Sequence, residues 1–77
     1  MKINILIFGH LTDLLGASEI TLNDLHDSNS LVDSLHNQYP ELSNQKYAIA
    51  INKKIINSNT LITEGSTIAL LPPFSGG

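Results

Sequence analysis

The sequence contains no cysteine and no arginine, and aromatic residues make up only 5% of its 77 residues. Without cysteine the chain has neither a disulfide framework nor a thiolate nucleophile, which argues against a small secreted domain. Four lysines against seven acidic residues give a net charge of −3. Because the basic stripe of a nucleic-acid-binding protein is missing, we expect no nucleic-acid partner. The scarcity of aromatic residues means that aliphatic side chains must build the core.

Long hydrophobic runs are also missing. Apolar runs such as residues 5–8 are far too short to cross a membrane, and the first residues lack the apolar core of a signal peptide. We therefore expect a cytoplasmic protein without a membrane contact. A hydrophobic content of 42% in a chain of this length fits one small domain. We assign residues 1–71 to that domain and residues 72–77 to an extended tail.

The first third of the chain predicts two strands around a short helix. Isoleucines alternate along residues 2–8 and predict a strand with one apolar face and a second, mostly apolar face. Residues 10–15 predict one or two helical turns that Gly16 ends in a left-handed conformation. Residues 18–22 predict a second strand, which lies close enough in sequence to be the antiparallel neighbour of the first.

The middle of the chain predicts one amphipathic helix. Ser30 and Asp33 have the spacing of a capping box and predict where the helix starts. Apolar residues then recur at helical spacing for about ten residues, until Pro40 ends the helix. This helix has a single apolar face to bury.

The last third predicts three strands. Residues 47–51 alternate, and we expect Ala48 and Ala50 to face the helix and let it approach closely. A turn at residues 52–54 leads into a short return strand, and residues 57–60 form a loop. Residues 64–66 form another turn before the last strand, residues 67–71. Pro72 ends that strand because proline cannot donate to a β-ladder.

This order of elements predicts an α+β fold of the β-grasp, or ubiquitin-like, type. We expect a mixed four- or five-stranded sheet with the main helix packed on one face. The first and last strands should be central and parallel, and a short helix should follow the first strand.

Few residues outside the tail have a pattern that indicates chemistry. His10, His26 and His36 lie in different segments without the close spacing of a metal site, so we expect no bound metal or cofactor. No serine lies in a nucleophile elbow, and no glycine-rich loop precedes a helix. We therefore expect no independent enzyme activity.

The tail is the strongest functional signal. A proline-stiffened segment ends in two glycines, and it can reach about 20 Å when extended. The Gly77 carboxylate is a poor electrophile until an ATP-using partner activates it. Because glycine has no Cβ, the end of the chain can enter a narrow active site. The candidate site residues are Pro72, Pro73, Phe74, Ser75, Gly76 and Gly77.

The tail, together with residues 8–16, residues 50–52 and residues 64–69, resembles the MoaD/ThiS family of ubiquitin-like sulfur carriers, and within it the small subunits of molybdopterin synthase. The resemblance covers nearly the whole chain, and its tail motif is specific. Three positions depart from the family pattern. Thr12 stands where a basic residue is frequent, Ser66 where an acidic residue is usual, and Phe74 where valine is common.

The resemblance implies a mechanism and a set of partners. A MoeB-like enzyme uses ATP to adenylate Gly77, and a sulfur donor protein converts the adenylate to a thiocarboxylate. The tail then enters a MoaE-like large subunit, within a heterotetramer, and donates sulfur to cyclic pyranopterin monophosphate to form the molybdopterin dithiolene. Catalytic side chains are expected on the large subunit. The exposed sheet face and the tail are expected to dock, with Phe74 as an anchor.

Three other functions remain open at this point. A thiamine-type sulfur carrier uses the same activation chemistry, although the helix at residues 10–15 and the double proline favour the molybdopterin branch. A ubiquitin-like modifier would join Gly77 to lysines of target proteins. A plain binding module would have an inert tail.

Overall fold

The structure, a computed structural model, describes residues 2–72. Eight elements follow one another in the order strand, helix, strand, helix, 3-10 helix and three strands. They are β1 (Lys2–Ile7), α1 (Leu11–Leu15), β2 (Glu19–Asn23), α2 (Ser28–Gln38), the 3-10 helix η1 (Pro40–Asn44), β3 (Ala48–Ile51), β4 (Lys54–Ile55) and β5 (Ile68–Leu71).

The strands form one mixed sheet in the order β2-β1-β5-β3-β4. β1 and β5 pair in parallel, whereas the other three pairs are antiparallel. This arrangement confirms the predicted α+β fold, the five-stranded sheet and the parallel pairing of the first and last strands. β5 lies at the centre, so the chain leaves the last strand from the middle of the sheet.

The core lies between the sheet and α2. Ile3, Ile5 and Ile7 of β1 are buried, which confirms the predicted alternation. Leu31 and Leu35 of α2 are fully buried in the same cluster. Burying an aliphatic side chain of this size contributes about 1.5–3 kcal/mol, so the aliphatic core compensates for the shortage of aromatic residues.

The two alanines of β3 do not face α2, and the prediction for them was wrong. Ile49 pairs with Leu70 and Ile51 with Ile68, and all four side chains belong to the buried core. Directly paired residues project to the same side of a sheet. Ala48 and Ala50 alternate with these isoleucines and therefore lie on the opposite side. The close approach of α2 does not depend on them.

The start of α2 also differs from the prediction. Asp27, not Ser30, is the N-cap: its carboxylate accepts a hydrogen bond from the Ser30 backbone N–H at 2.9 Å. Ser30 Oγ in turn accepts a bond from the Asp27 N–H at 3.2 Å, which completes a capping box three residues earlier than expected. Asp27 is in extended conformation, as an N-cap requires. The Ser30–Asp33 spacing was a chance match inside the helix.

A buried serine connects the first turn of α2 to residues 57–60. Ser28 is only 4% exposed, and its hydroxyl donates to Asn59 Oδ1 at 3.2 Å and accepts from the Thr60 N–H at 2.9 Å. Asn59 also accepts from the Asn29 N–H at 2.9 Å and donates to Asp27 Oδ2 at 3.0 Å. The sequence indicated only a loop here. We call this hydrogen-bonded group, Asp27, Ser28 and Asn59, the helix junction.

Pro40 begins η1 instead of only ending α2. Proline is tolerated in the first turn of a helix because the N–H that it lacks would have no partner there. α2 ends at Gln38, and η1 then places Leu42, which is fully buried, at the end of the core. This second helical segment was not predicted.

Candidate functional site

The open face of the sheet is the side away from α2. Leu6 pairs with Ala69, Ala69 with Ala50, and Ala50 with Ile55. These pairs form one row of apolar residues across β1, β5, β3 and β4. Within residues 2–72, α2 packs on the other side of the sheet, where Ile5 and Ile7 share the core with Leu31 of α2.

A second apolar row lies beside the first. Leu71 pairs with Ala48. The Phe8 N–H donates to the Leu70 carbonyl at 3.1 Å, so the ladder continues past β1 and Phe8 lies on the same side as Leu6. We call the two rows together the apolar patch. Its members are Leu6, Phe8, Ala48, Ala50, Ile55, Ala69 and Leu71.

The shape of the apolar patch follows from the size of its side chains. Small alanines occupy its middle, while larger residues surround them. Phe8 and Ile55 are 44% and 49% exposed, whereas Ala50 between the larger residues is only 7% exposed. An exposed apolar surface with a shallow centre is suited to receive a partner's side chains.

The remainder of the open face is polar. A groove of about 440 Å³ lies at the end of the sheet where β1 begins, and Leu6 of the apolar patch borders it. Its other lining residues are Lys2, Asn4, Glu19, Gly65, Ser66 and Thr67. The Thr21 hydroxyl donates to Asn4 Oδ1 at 2.9 Å on the same face. The open face is therefore divided into a polar half and an apolar half, and the apolar half lies at the end where β5 finishes.

This division places the apolar patch next to the tail. Leu71 is the last residue of β5 and belongs to the patch, and Pro72 follows it directly. Pro72 is half-buried. The remaining candidate site residues, Pro73–Gly77, lie outside the described residues. The structure thus shows which surface adjoins Pro72, the first residue of the predicted tail.

Two departures from the family pattern have local explanations. The Thr12 hydroxyl donates to the Gly9 carbonyl at 2.8 Å at the start of α1. Ser66 Oγ accepts from the Thr63 N–H at 3.2 Å and closes the turn before β5. Gly9, for which the sequence indicated only the end of a strand, lies against the Pro72 ring. No periodicity or motif could have revealed that contact, because it joins residues far apart in the chain.

Other parts of the described structure offer less for chemistry. Within residues 2–72, no group of three or more His, Cys, Asp or Glu residues could hold a metal ion. His36 Nε2 lies 2.9 Å from the Tyr47 hydroxyl at the edge of the core. A second groove, of about 520 Å³, lies between α2, β3 and the loop at residues 57–59. Ala48 and Ile55 of the apolar patch are among the residues that line it.

A family model provides the decisive comparison. The ThiS family model matches residues 5–77, which includes the tail as well as the folded domain. The chain belongs to the ThiS family. The resemblance to MoaD/ThiS sulfur carriers is therefore confirmed, and so is the ubiquitin-like fold expected from it.

Individual relatives agree with this assignment. The chain is 29% identical to the molybdopterin synthase sulfur carrier subunit of Mycobacterium tuberculosis, over 100% of this chain and 99% of that protein. It is 28% identical to a chain in the complex of subunits 1 and 2 of molybdopterin-converting factor from Helicobacter pylori, with a TM-score of 0.73 and 100% coverage of both chains.

A third relative shares the fold. Small archaeal modifier protein 1 of Methanosarcina acetivorans is 24% identical, with a TM-score of 0.80 and coverage of 99% of this chain and 96% of that protein.

No helix in the described part of the chain is both long and apolar enough to span a bilayer.

Proposed function

We propose that this protein is the sulfur-carrier subunit of a molybdopterin synthase and that the Gly77 carboxyl is its reactive group. The proposal is carried by one observation: an uncovered apolar patch adjoins the first residue of the tail, in a chain whose family model matches through Gly77. The full-length similarity to the M. tuberculosis carrier subunit supports the choice of pathway.

The proposed chemistry uses the main chain and not a side chain. A Gly77 carboxylate oxygen attacks the α-phosphorus of ATP in a MoeB-like activating enzyme, and pyrophosphate leaves. The terminal sulfur of a persulfide on a sulfur donor protein then displaces AMP and forms an acyl disulfide with Gly77. A second thiol attacks the donor-side sulfur of this acyl disulfide, forms a disulfide with the donor, and releases the thiocarboxylate at Gly77. The activated carbon is open to attack because glycine has no side chain. The absence of cysteine from the chain is compatible with this route, since the sulfur resides on the terminal carboxyl.

The folded domain presents this group to other proteins. We propose that a MoaE-like large subunit covers the apolar patch and receives the tail, as in a heterotetrameric synthase. Sulfur then passes to cyclic pyranopterin monophosphate on the large subunit. The complex of subunits 1 and 2 from H. pylori supports such a partner. Phe74 is proposed as an additional anchor in the tail.

One added residue tests the site of activation. A variant with alanine appended after Gly77 should release no pyrophosphate from ATP with the activating enzyme and should not support molybdopterin formation. Its unfolding temperature should equal that of the unmodified chain, because the change lies beyond the folded domain. Full activity of the extended chain, with intact mass showing that it was not trimmed, would refute the proposal.

The destination of the activated carboxyl separates this function from the alternatives. A thiamine-type carrier would restore thiamine synthesis, and a ubiquitin-like modifier would form isopeptide bonds with lysines of other proteins. We expect complementation of a strain that lacks the small subunit of molybdopterin synthase, and no conjugates. Conjugates without complementation would favour the modifier. Full function after deletion of residues 76–77 would favour a binding module with an inert tail.

A further inference from the structure

The tail begins in an unusually close contact between Pro72 and Gly9. A Cβ atom built on Gly9 would lie 2.7 Å from Pro72 Cγ and 3.3 Å from Cδ. Real Cβ atoms essentially never approach another heavy atom below 3.0 Å. Gly9 also has a φ of +62°, in the left-handed region that glycine adopts without steric cost. The proline ring can therefore occupy its position only because residue 9 has no side chain.

Hydrogen bonds fix Gly9 on both sides. Its carbonyl accepts from the Thr12 N–H at 3.1 Å and from the Thr12 hydroxyl at 2.8 Å, which ties it to the start of α1. The preceding N–H, of Phe8, donates to the Leu70 carbonyl at 3.1 Å, which ties it to β5. The Pro72 ring therefore rests on backbone that is anchored to two elements.

We propose that Gly9 is a positioning residue: its missing side chain leaves room for the Pro72 ring, and the position of this ring sets the direction in which the chain continues after Pro72. The proline ring locks the φ of Pro72 near −65°, and the following Pro73 restricts the ψ of Pro72 to extended values, so the position of the ring sets the course of the following peptide. This inference deepens the proposed function. Its kinetic test rests on that function, but its structural test does not.

The chain contains matched control positions. Gly16 and Gly65 also have positive φ, +73° and +85°, but an added Cβ would meet nothing within 4 Å at either position. Gly9→Ala and Gly16→Ala therefore share the backbone strain, and only Gly9→Ala adds the collision with Pro72. Pro72→Ala removes Cγ and Cδ, so a comparison of Gly9→Ala/Pro72→Ala with Pro72→Ala alone shows whether the effect of Gly9→Ala requires the ring. The nearest Pro72 atom left is Cβ, at 3.5 Å, an ordinary contact distance.

The structural test measures the direction of the tail in the free protein. Because the chain has no cysteine, Ser75→Cys gives a single site for a nitroxide label, which broadens NMR signals of nearby amides in residues 2–72. We expect Gly9→Ala to change the set of broadened amides and Gly16→Ala to leave it unchanged. In a Pro72→Ala background, Gly9→Ala should cause no further change, because the ring with which it collides is gone. The same pattern in Gly9→Ala as in the parent would overturn the proposal, and so would an equal change in Gly16→Ala.

A milder variant applies if Gly9→Ala does not fold. Thr12→Val keeps the shape of the side chain but removes the hydroxyl bond to the Gly9 carbonyl. Thr12→Val should alter the broadening of the same amides as Gly9→Ala, by a smaller amount. An unchanged pattern in this variant would contradict the proposal that Thr12 holds Gly9 in the position against which the Pro72 ring packs.

The kinetic test uses pyrophosphate release by the activating enzyme. A displacement of about 1 Å in a reacting group can lower a rate about 100-fold, so Gly9→Ala should lower kcat/KM by up to about that factor. Gly16→Ala should remain near the parent value, and Gly9→Ala/Pro72→Ala should equal Pro72→Ala alone. An equal loss in both single variants would mean that backbone strain alone is responsible. If the parent itself releases no pyrophosphate, the proposed function fails, while the spin-label result still decides the role of Gly9.

Discussion

A carboxylate at position 69 should disrupt docking on the apolar patch. Ala69 lies in the middle of the row that joins Leu6 and Ala50, on an uncovered part of the sheet. In Ala69→Asp, binding of the large subunit would bury a charge that has no partner among these apolar neighbours. Disrupting the centre of an interface typically costs at least about 2 kcal/mol, which corresponds to roughly 30-fold in Kd.

Thr67→Asp provides the matched control. Thr67 is exposed and lies two residues earlier on the same face, beside the polar groove and outside the apolar patch. Its bonds to Asn52 use only backbone atoms of Thr67, so they survive the substitution. We expect its effect on binding to stay within about 0.5 kcal/mol, or roughly 2-fold in Kd.

Titration calorimetry with the purified large subunit gives the dissociation constants, and thermal unfolding shows whether each variant remains folded. Aspartate in a strand costs up to about 1 kcal/mol of stability in either variant, which leaves the comparison of their affinities intact. An affinity of Ala69→Asp within about 3-fold of the parent would refute the assignment of the apolar patch as the docking surface.

Three further predictions concern the helix junction and the tail. Ser28→Ala should lower the free energy of unfolding by about 1–3 kcal/mol, because it removes a buried hydroxyl that makes two hydrogen bonds, whereas Ser34→Ala in the same helix should change it by less than about 0.5 kcal/mol in urea titrations. The hydrogen bond from Asn59, then those from Ser30, hold the Asp27 pKa below its ordinary value of 3.8, so their stabilisation is present at neutral pH and lost as the pH falls through the lowered pKa. The difference in unfolding free energy between the parent and Asn59→Ala should therefore shrink below pH 3.8, and a constant difference would contradict this. Phe74→Ala should weaken binding to the large subunit in calorimetry without changing the unfolding temperature, and an unchanged affinity would show that Phe74 is not an anchor.

The sequence predicted most of the fold because its elements have clear periodicities and stop signals. The alternation of Ile3, Ile5 and Ile7 indicated the buried face of β1, and Gly16 adopts the expected left-handed conformation at the end of α1. These features depend on residues close together in the chain. Local pattern alone was sufficient to locate them.

The errors arose where distant residues decide the outcome. Which face of β3 meets α2 depends on its register with β5, and the alternation of Ala48 with Ile49 is compatible with either choice. The start of α2 depends on the helix junction, in which Asn59 contacts a cap that lies about thirty residues earlier. Similarly, the apolar patch joins four strands, so its members share a surface only after the sheet has formed.

For the tail, the sequence supplied most of the information and the structure supplied less. Residues 72–77 were recognised from composition and from their resemblance to a family, and the family model confirms the membership of the chain through Gly77. Its chemistry remains a proposal. The structure contributes the surroundings of Pro72: the apolar patch on one side and the Gly9 contact on the other.

The central claim is that sulfur is carried on the carboxyl of Gly77. Intact-mass spectrometry tests it most directly, on the protein purified from a strain that lacks the large subunit, where a charged carrier cannot discharge. We predict a species heavier by one oxygen-to-sulfur exchange, which fragmentation assigns to Gly77. Only unmodified protein under these conditions, or sulfur bound at any other residue, would contradict the account.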